Sequence, residues 1–503
     1  MKTFLCLIAM GLTLTYLPQA FAGPNLLLIT VDDMSADSVG AFGAGLANTT
    51  PHIDRLASEG LCFDLAHVQV GNCYPSRNIM WSGRYPHNSG VEGFYEVKPI
   101  HFPTLCDVLQ KAGYWVGIRG KVSHSTPFQP FHWDADLTIG EDGQKAHLKD
   151  VESYGASTRR GIEAAAAAGK PFCINVNISD PHKPFWSASD GHPASRVFTP
   201  DEVPVPGFLP DDPAIREELA LYYTSVRRAD DCVGSILHAL EESGRADETF
   251  VLFLSDHGMP LPFAKTQLYH HSTHTPLIVR WPGVTKAGTR NDTHLVSAVD
   301  FLATLCDVVR AEKPANMDGT SFEPLLHGNQ QKNRNAIFKA YYENAGGNRH
   351  PMRGVQSKRY LYLFNPWSDG ENQFKTATQG TVSYKRLQSI AETDPEIAAR
   401  LELFDHRVLE EFYDIESDPD CLHNLTGSPD HAQALQRHRT LMKSFMEESK
   451  DPMLDTFLNR GNEAVRKAFM QEQQAQADER RIQRRRNKQR KQKAERSRKG
   501  NQQ

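Results

Sequence analysis

The chain has 503 residues, of which 39% are hydrophobic and 23% charged, with a formal net charge of −5. This length and composition exclude an intrinsically disordered chain and predict a folded protein with a large core and two domains. The charge is uneven: residues 478–503 carry twelve Lys/Arg and three Asp/Glu, a net of +9 that leaves −14 for the rest, and this pattern excludes a nucleic-acid-binding fold.

Residues 1–22 have the pattern of a secretory signal peptide. Lys2 supplies a positive charge, residues 4–17 are mostly apolar, and Ala20-Phe21-Ala22 is an A-x-A cleavage site. We expect cleavage after Ala22, a secreted or periplasmic protein, and no transmembrane segment after cleavage. The alternative, an uncleaved membrane anchor, would need a longer apolar run. Export permits disulfides, but the seven remaining cysteines are an odd number, so at least one is left over.

Four short apolar runs predict buried strands, at residues 25–31, 114–118, 172–176 and 250–254. Near-continuous apolar strands of this length fit a parallel sheet covered on both faces. Amphipathic stretches at residues 104–112 and 212–243 predict helices between the strands. Strands that alternate with helices predict an α/β fold, here a mostly parallel sheet flanked by helices.

The pattern changes near residue 350, where a smaller C-terminal α+β domain is predicted. Residues 354–364 and 411–415 have the pattern of strands with an antiparallel arrangement, and residues 431–448 that of a helix. We therefore expect a main domain at residues 23–350 and a C-terminal domain at 351–450. Residues 451–503 are polar and basic, and we expect them to be disordered or to form a lone charged helix.

Ionisable residues follow each of the four predicted strands. The carboxyl ends of parallel strands meet at one edge of a sheet, where ligands bind. Asp32, Asp33 and Asp256 would repel one another unless a cation lay between them, and hard oxygen donors suit Ca²⁺ or Mg²⁺. The residues expected at this edge are Asp32, Asp33, Lys121, His124, His182, Asp256, His257 and Lys265.

The positive groups near these strand ends predict an anion site. Lys121, Lys265 and Arg77, with His124 and His182, suit a tetrahedral oxyanion such as sulfate or phosphate. A metal ion beside several cations predicts transfer of that group. Each feature alone has a plainer interpretation, since strand-end aspartates often cap helices or form turns and a cysteine can be inert or disulfide-bonded. The joint pattern at four strand ends favours the site.

Residues 73–84 carry the most specific signal. Cys73-Tyr-Pro-Ser-Arg77, followed by Ser82-Gly-Arg84, resembles the Cys-x-Pro-Ser-Arg signature of the formylglycine-dependent sulfatases. Further matches at residues 32–33, 50–56, 120–121, 181–182 and 255–258 follow the family's order and extend the likeness over roughly residues 24–450. The resemblance implies an alkaline-phosphatase-like fold and a bound Ca²⁺, with Mg²⁺ as the alternative. It also implies that a formylglycine-generating enzyme, which reads Cys-x-Pro-x-Arg, converts Cys73 to 3-oxoalanine (formylglycine).

The resemblance implies a role for each matching residue. In this family one hydroxyl of the hydrated aldehyde attacks sulfur and the second expels sulfate, an exit that an unmodified serine or cysteine lacks. Arg77 would hold the formylglycine, and Lys121 and Lys265 would bind sulfate oxygens. His124 would orient the hydrated aldehyde and take its proton, and His182 would contact the sulfate or protonate the leaving group. The implied metal ligands are Asp32, Asp33, Asp256, His257 and modified Cys73.

Several positions indicate which groups of sulfatases this sequence resembles most. His257 stands where many members have asparagine, and the Lys121–His124 spacing is similar to that of iduronate-2-sulfatases. Residues 256–269 and 350–356 resemble the sulfamidases, or heparan N-sulfatases. This likeness implies that the substrate is either N-sulfoglucosamine or a sugar O-sulfate. Lys265 replaces an arginine of that subfamily, which keeps the charge but loses the bidentate fork. Arg353 is predicted either to bind an acidic sugar or to form a salt bridge at the domain junction.

The sequence therefore predicts an exported sulfatase that acts on a sulfated sugar. The first alternative is a phosphomonoesterase or phosphonate hydrolase with the same fold and motif. The second is a non-catalytic binder of sulfated glycans, in which Cys73 would stay unmodified. For the basic tail, the alternatives are a solvated extension and a tether to an acidic polysaccharide or envelope surface.

Overall fold

The computed structural model describes residues 23–94, 100–125, 132–332 and 334–500, so the signal peptide predicted at residues 1–22 lies outside the described residues. The strands are β1 (Asn25–Asp32), β2 (Leu61–Phe63), β3 (Ala66–His67), β4 (Trp115–Arg119), β5 (Ala135–Asp136), β6 (Phe172–Pro181), β7 (Thr249–Ser255), β8 (Leu277–Arg280), β9 (Thr289–Asn291), β10 (Val296–Ser297), β11 (Ile337–Glu343), β12 (Arg349–Gln356), β13 (Tyr360–Phe364) and β14 (Glu410–Asp414). The helices are α1 (Pro51–Glu59), α2 (Cys73–Ser82), α3 (Pro86–Ser89), α4 (Leu105–Lys111), α5 (Val122–Ser125), α6 (Val151–Ala167), α7 (Pro213–Glu242), α8 (His270–Thr273), α9 (Phe301–Val308), α10 (Glu323–Leu326), α11 (Val382–Ala391), α12 (Pro395–His406), α13 (Ala432–Glu448), α14 (Leu454–Leu458) and α15 (Glu463–Gly500).

The main sheet has eight strands in the order β5-β4-β6-β1-β7-β8-β2-β9. β1 lies inside it and pairs in parallel with β6 and β7, while β8 runs antiparallel to β7 and β2. β1 and β7 are apolar along most of their length and almost entirely buried, as expected for strands covered on both faces. The predicted mostly parallel α/β sheet is confirmed, and the four predicted strands are β1, β4, β6 and β7.

Helices cover both faces of this sheet. Alternate residues of β1 point to opposite faces: Leu27 and Ile29 join the core cluster that contains α7, and Leu26 and Leu28 join the one that contains α9. Helix α7 begins after Asp212, whose side chain accepts a hydrogen bond from the backbone N–H of Ala214. The two apolar layers fix β1 in place, and with it the loops at its carboxyl end.

A second, four-stranded antiparallel sheet has the order β11-β12-β13-β14. It begins at Ile337, so the C-terminal unit starts before the boundary predicted at residue 350. The single strand predicted at residues 354–364 is wrong, because a turn at residues 357–359 divides it into β12 and β13. Ser357 closes this turn by donating its backbone N–H to the carbonyl of Tyr360, 2.9 Å away.

The polar C-terminal segment forms a helix. The two expectations for it were a disordered tail and a lone charged helix. Disorder is wrong for the described residues, since α15 runs from Glu463 to Gly500. The alternative of a lone helix is wrong for its first half, because Ala477 is fully buried and Gln473 accepts a hydrogen bond from Arg349 of β12. Phe469 and Met470 pack against the main core cluster and supply the apolar contact that holds this half in place.

Arg353 on β12 is fully buried and forms a bidentate ion pair with Asp451. Its Nη2 lies 2.9 Å from Asp451 Oδ1, its Nε contacts Oδ2, and its guanidinium stacks on the ring of Tyr342. The prediction that Arg353 binds substrate is therefore wrong, and the salt-bridge alternative describes it. Sequence could not decide between the two because both need the same arginine.

Breaking this pair is expected to lower stability without affecting catalysis. In Arg353→Met the carboxylate of Asp451 stays buried without its partner, which should lower the free energy of unfolding by about 3–5 kcal/mol. Urea unfolding measures this, and the double variant Arg353→Met/Asp451→Leu should recover much of the loss. A variant of normal stability with a large loss of kcat/KM would contradict this interpretation.

In the described part of the chain, no helix is both long and apolar enough to cross a bilayer. All seven cysteines found among the described residues are buried, and none of them forms a disulfide there.

Candidate active site at the carboxyl edge of the sheet

Three buried carboxylates meet where β1 and β7 end. Asp32 is the last residue of β1, Asp33 follows it with a left-handed φ of 72°, and Asp256 follows β7. Val31 pairs with Ser255 in the β1–β7 register, so the two strands end side by side. The backbone N–H of Asp33 donates to Asp256 Oδ1 at 3.1 Å. This contact fixes the turn that brings the second aspartate beside the third.

His257 completes this cluster. Its Nδ1 lies 3.0 Å from the carbonyl of Gly258, an arrangement that directs Nε2 towards the carboxylates. Nε2 is 3.1 Å from Asp33 Oδ1 and 3.7 Å from Asp256 Oδ1. One ligand atom from each of Asp32, Asp33, Asp256 and His257 lies within 4.8 Å of the others, and Cys73 Sγ lies within the same limit of Asp32 and His257.

The donor set fits a hard divalent cation. Both carboxylate oxygens of Asp32 and Nε2 of His257 are buried and make no well-aligned hydrogen bond with the described residues, although Lys121 forms an ion pair with Asp32. Buried polar atoms are normally satisfied, and buried carboxylates are normally paired or bound to a metal. Three carboxylates and one imidazole offer the oxygen-rich ligands that Ca²⁺ or Mg²⁺ prefers.

Burial and neighbouring charges shift the pKa values of the residues in this cluster. Burial would raise the pKa of Asp32, but Lys121, His182 and Arg77 together lower it well below its usual value. Burial raises the pKa of Asp256, and Asp32 adds to this rise while Arg77 opposes it. Although burial would lower the pKa of His257, Asp256 and Asp33 raise it to about 9. The site is therefore strongly attractive to positive charge, and a bound cation would displace the proton of His257.

Positive side chains surround the carboxylates. Lys265 Nζ lies 2.7 and 2.6 Å from the two carboxylate oxygens of Asp33, and Lys121 contacts Asp32. Burial would lower the pKa of Lys265, but Asp33 raises it, so this lysine stays protonated at neutral pH. Lys121, separated from β4 by Gly120, has a left-handed φ of 48°, which turns the chain towards the cluster. The ion pairs between these lysines and the aspartates hold both sets of side chains in position at the site.

Cys73 is the first residue of helix α2, and all ten residues of this helix are buried. The N-terminus of a helix presents a positive field, which favours an anionic group there. Arg77 lies one turn further on the same helix face, and its Nε donates to Asp256 Oδ2 at 2.9 Å. Ser76 donates its hydroxyl to the backbone carbonyl of Asp256 at 2.7 Å. The spacing in Cys-x-Pro-Ser-Arg thus joins the helix start to the loop after β7.

Two histidines stand at the rim of the cluster. His182 directly follows Pro181, which pairs with Asp32 in the β1–β6 register. Its Nδ1 lies 2.6 Å from the carbonyl of Lys183, which leaves Nε2 for other contacts. Burial, helped by Lys121 and Arg77, lowers the pKa of His124 to about 4, so its imidazole is neutral at neutral pH. The structure brings together all the predicted site residues except Arg353.

Sequence analysis missed Asn177, a buried residue of β6. Its side-chain oxygen accepts a hydrogen bond from Arg77 Nη1, and its Nδ2 donates to the carbonyls of Gly120 at 3.1 Å and Arg119 at 3.3 Å. It therefore joins Arg77 to the loop that carries Lys121. The one available signal was its position near the end of a predicted strand, and a polar residue there could equally have been a turn residue.

Asn177→Ala is expected to reduce kcat/KM about 10–100-fold, because Arg77 loses a buried partner and the Lys121 loop loses two hydrogen bonds. Steady-state kinetics with a small sulfate ester measures the loss. The exposed Asn335→Ala serves as the matched control and should change kcat/KM less than twofold. Near-normal kinetics in the folded Asn177 variant would contradict a positioning role.

Comparisons with known proteins agree with this arrangement. The sulfatase family profile matches residues 24–311, and the profile of the C-terminal part of N-sulphoglucosamine sulphohydrolase matches residues 256–372. Human N-sulphoglucosamine sulphohydrolase is 28% identical over 478 residues, covering 85% of this chain and 91% of its own length.

Two solved structures share the fold. The structure of BT4656 in complex with its substrate D-glucosamine-2-N,6-O-disulfate aligns with a TM-score of 0.65 at 18% identity, over 86% of this chain and 99% of its own. The phosphonate monoester hydrolase of Agrobacterium radiobacter aligns with a TM-score of 0.62 at 19% identity, over 85% and 96%.

Proposed function

We propose, because this chain belongs to the sulfatase family, that it hydrolyses sulfate from a sulfated carbohydrate, either N-sulfoglucosamine or a sugar O-sulfate. Its fold, a mostly parallel sheet with a small antiparallel C-terminal sheet, is the alkaline-phosphatase-like fold of that family. One observation carries the proposal. Cys73, at the start of a buried helix, lies within ligand distance of a carboxylate–histidine cluster that is itself surrounded by Lys121, Lys265 and Arg77.

The site has a place for both groups that the chemistry needs. Asp32, Asp33, Asp256 and His257, with residue 73, would hold Ca²⁺ or Mg²⁺, which when bound supplies Lewis-acid stabilisation of anionic oxygen. Cys73 converted to 3-oxoalanine would supply the nucleophilic oxygen that a thiol lacks.

The chain's own residues then bind the sulfate and move protons. Lys121 and Lys265, both protonated at neutral pH, bind sulfate oxygens through charge-assisted hydrogen bonds. Arg77 holds residue 73 in position from the same helix. His124 is neutral and its Nδ1 makes no hydrogen bond with the described residues, so it can accept a proton. We assign to His182 the donation of a proton to the departing oxygen or nitrogen.

The relatives support a sugar substrate. The human relative is an N-sulphoglucosamine sulphohydrolase, and BT4656 is solved with an N- and O-sulfated glucosamine. The match to the C-terminal profile of the former adds support for an N-sulfated sugar.

Two alternatives make different predictions. The phosphonate hydrolase of the same fold favours phosphoryl transfer as the second candidate, and a non-catalytic glycan binder would show no turnover. Assays with matched 4-nitrophenyl sulfate and phosphate esters separate these candidates. We expect kcat/KM to be at least about 100-fold higher for the sulfate, and a preference for phosphate would overturn the proposal. Sulfate release from N-sulfoglucosamine and from glucosamine 6-O-sulfate then identifies the bond.

We propose that the protein is exported to the periplasm or outside the cell. The sequence of residues 1–22 supports this. Cell fractionation with N-terminal sequencing tests it: the mature chain should begin at Gly23, and a cytoplasmic chain that keeps Met1 would exclude export.

A further inference from the structure

Helix α15 carries a basic segment that the proposed catalytic site does not use. Residues 478–503 hold a net charge of +9 against −14 for the rest of the chain. Arg485 and Arg486 are exposed on the helix. Since a polysulfated chain is repelled by the acidic body, a concentrated positive surface decides where such a polymer approaches.

The helix is held in a fixed position on the small sheet. Gln473 and Ala477 are buried, and Arg349 of β12 donates to the side-chain oxygen of Gln473. Arg480 Nη2 lies 3.4 Å from Glu343 Oε2, and Arg481 Nη2 donates to the carbonyl of Gly347 at 2.5 Å. These contacts place the start of the basic segment on the turn between β11 and β12.

The last residue of β11, Glu343, which leads into that turn, contacts the residue before Cys73. Asn72, the residue before Cys73, donates its side-chain N–H to the carbonyl of Glu343 at 3.4 Å. Arg480 contacts the carboxylate of the same Glu343. Glu343 therefore connects the residue before Cys73 with helix α15 through two polar contacts, so the basic segment begins close to the start of α2.

We propose that the basic segment of α15 binds the sulfated polysaccharide whose terminal or neighbouring unit occupies the catalytic site. Residues 484–499 span about 22 Å at the helical rise of 1.5 Å per residue, which is long enough to contact more than one sulfate group. Lysine and arginine bind sulfate by charge-assisted hydrogen bonds, and binding of this kind weakens as salt increases. The inference rests on the proposed sulfatase function for its choice of ligand, although binding needs no turnover.

The test compares two forms of the chain that both carry Cys73→Ala, so that no substrate is consumed. One is full-length and the other ends at Gln483, which removes ten Lys/Arg and one Asp/Glu but keeps Arg480, Arg481 and the buried contacts of α15. Heparin is the probe, with fully desulfated heparin and double-stranded DNA as comparisons. We expect the shorter chain to bind heparin at least about 10-fold more weakly at low salt, with a shallower salt dependence.

Active chains give the second readout. The same truncation should leave kcat/KM for 4-nitrophenyl sulfate within twofold and reduce it for the polymer. Arg485→Lys/Arg486→Lys keeps the charge and should keep heparin affinity, whereas Arg485→Gln/Arg486→Gln should lower it. Equal heparin affinity of the two chain lengths would overturn the inference, as would equal affinity for DNA or desulfated heparin. Heparin binding without turnover of any sulfate ester would overturn the proposed function alone.

Discussion

Cys73→Ser is expected to abolish turnover of sulfate esters, lowering kcat by more than about 10⁴-fold. Serine nearly matches the size of cysteine and keeps the start of α2 intact, so the loss would be chemical rather than structural. A single hydroxyl can attack sulfur but has no second hydroxyl to expel sulfate from the resulting ester. Steady-state kinetics measures the loss, and one mole of retained sulfate per mole of variant would identify the blocked step.

The peptide that contains Cys73 supplies an independent check. In an active preparation its mass should be about 18 Da lower than the sequence predicts, as for a thiol converted to an aldehyde. Cys62→Ala, at a buried cysteine of β2, is the matched control and should keep kcat/KM within twofold. An active enzyme with an ordinary thiol at position 73 would disprove this mechanism, whatever its family.

Chelation of divalent cations is expected to abolish activity and to destabilise the protein. Asp32, Asp33 and Asp256 are fully buried at the same point. The repulsion that the neighbouring lysines and Arg77 leave uncompensated opposes folding once no divalent cation lies between them. An ion present at 100 times its Kd would contribute about 2.7 kcal/mol to the free energy of unfolding, which chelation removes. Differential scanning calorimetry with EDTA or EGTA, followed by Ca²⁺ or Mg²⁺ addition, measures this separately from activity.

Asp256→Asn tests the same site from the protein side. It removes one ligand charge, so chelation should lower Tm less in this variant than in the native chain. Asp247→Asn, at a side chain that is 95% exposed, is the control and should respond to chelation like the native chain. A native Tm and activity that chelators leave unchanged would contradict a metal site here.

The sequence predicted the main sheet and the side chains at its edge because both depend on local signals. Apolar runs such as residues 250–254 predict buried strands, and Asp256 directly follows that run. Residue roles that depend on contacts distant in sequence were visible only in the structure. Asn177 is recognisable only once Arg77 from another element reaches it, and Arg353 could be assigned only when Asp451, 98 residues away, was seen beside it.

The C-terminal helix shows the same limit. Residues 463–500 are polar enough to predict disorder from composition alone. Their order depends on a few spaced side chains, such as Phe469, which packs against the main core cluster, and Ala477, which is fully buried. The average composition of a segment does not reveal contacts that only a few of its residues make.

If Cys73 is converted as proposed, the burial of α2 sets a time limit on that modification. Cys73, Pro75 and Arg77 are all buried in the folded chain, so the proposed modifying enzyme, which must read all three, would have access only while this segment is unfolded. Under the proposed mechanism, folding and oxidation would therefore compete for each newly made molecule, and a molecule that folds first would be trapped as an inactive thiol form. The active fraction of a preparation should follow the supply of the modifying enzyme during synthesis, and adding that enzyme to folded protein should not raise it.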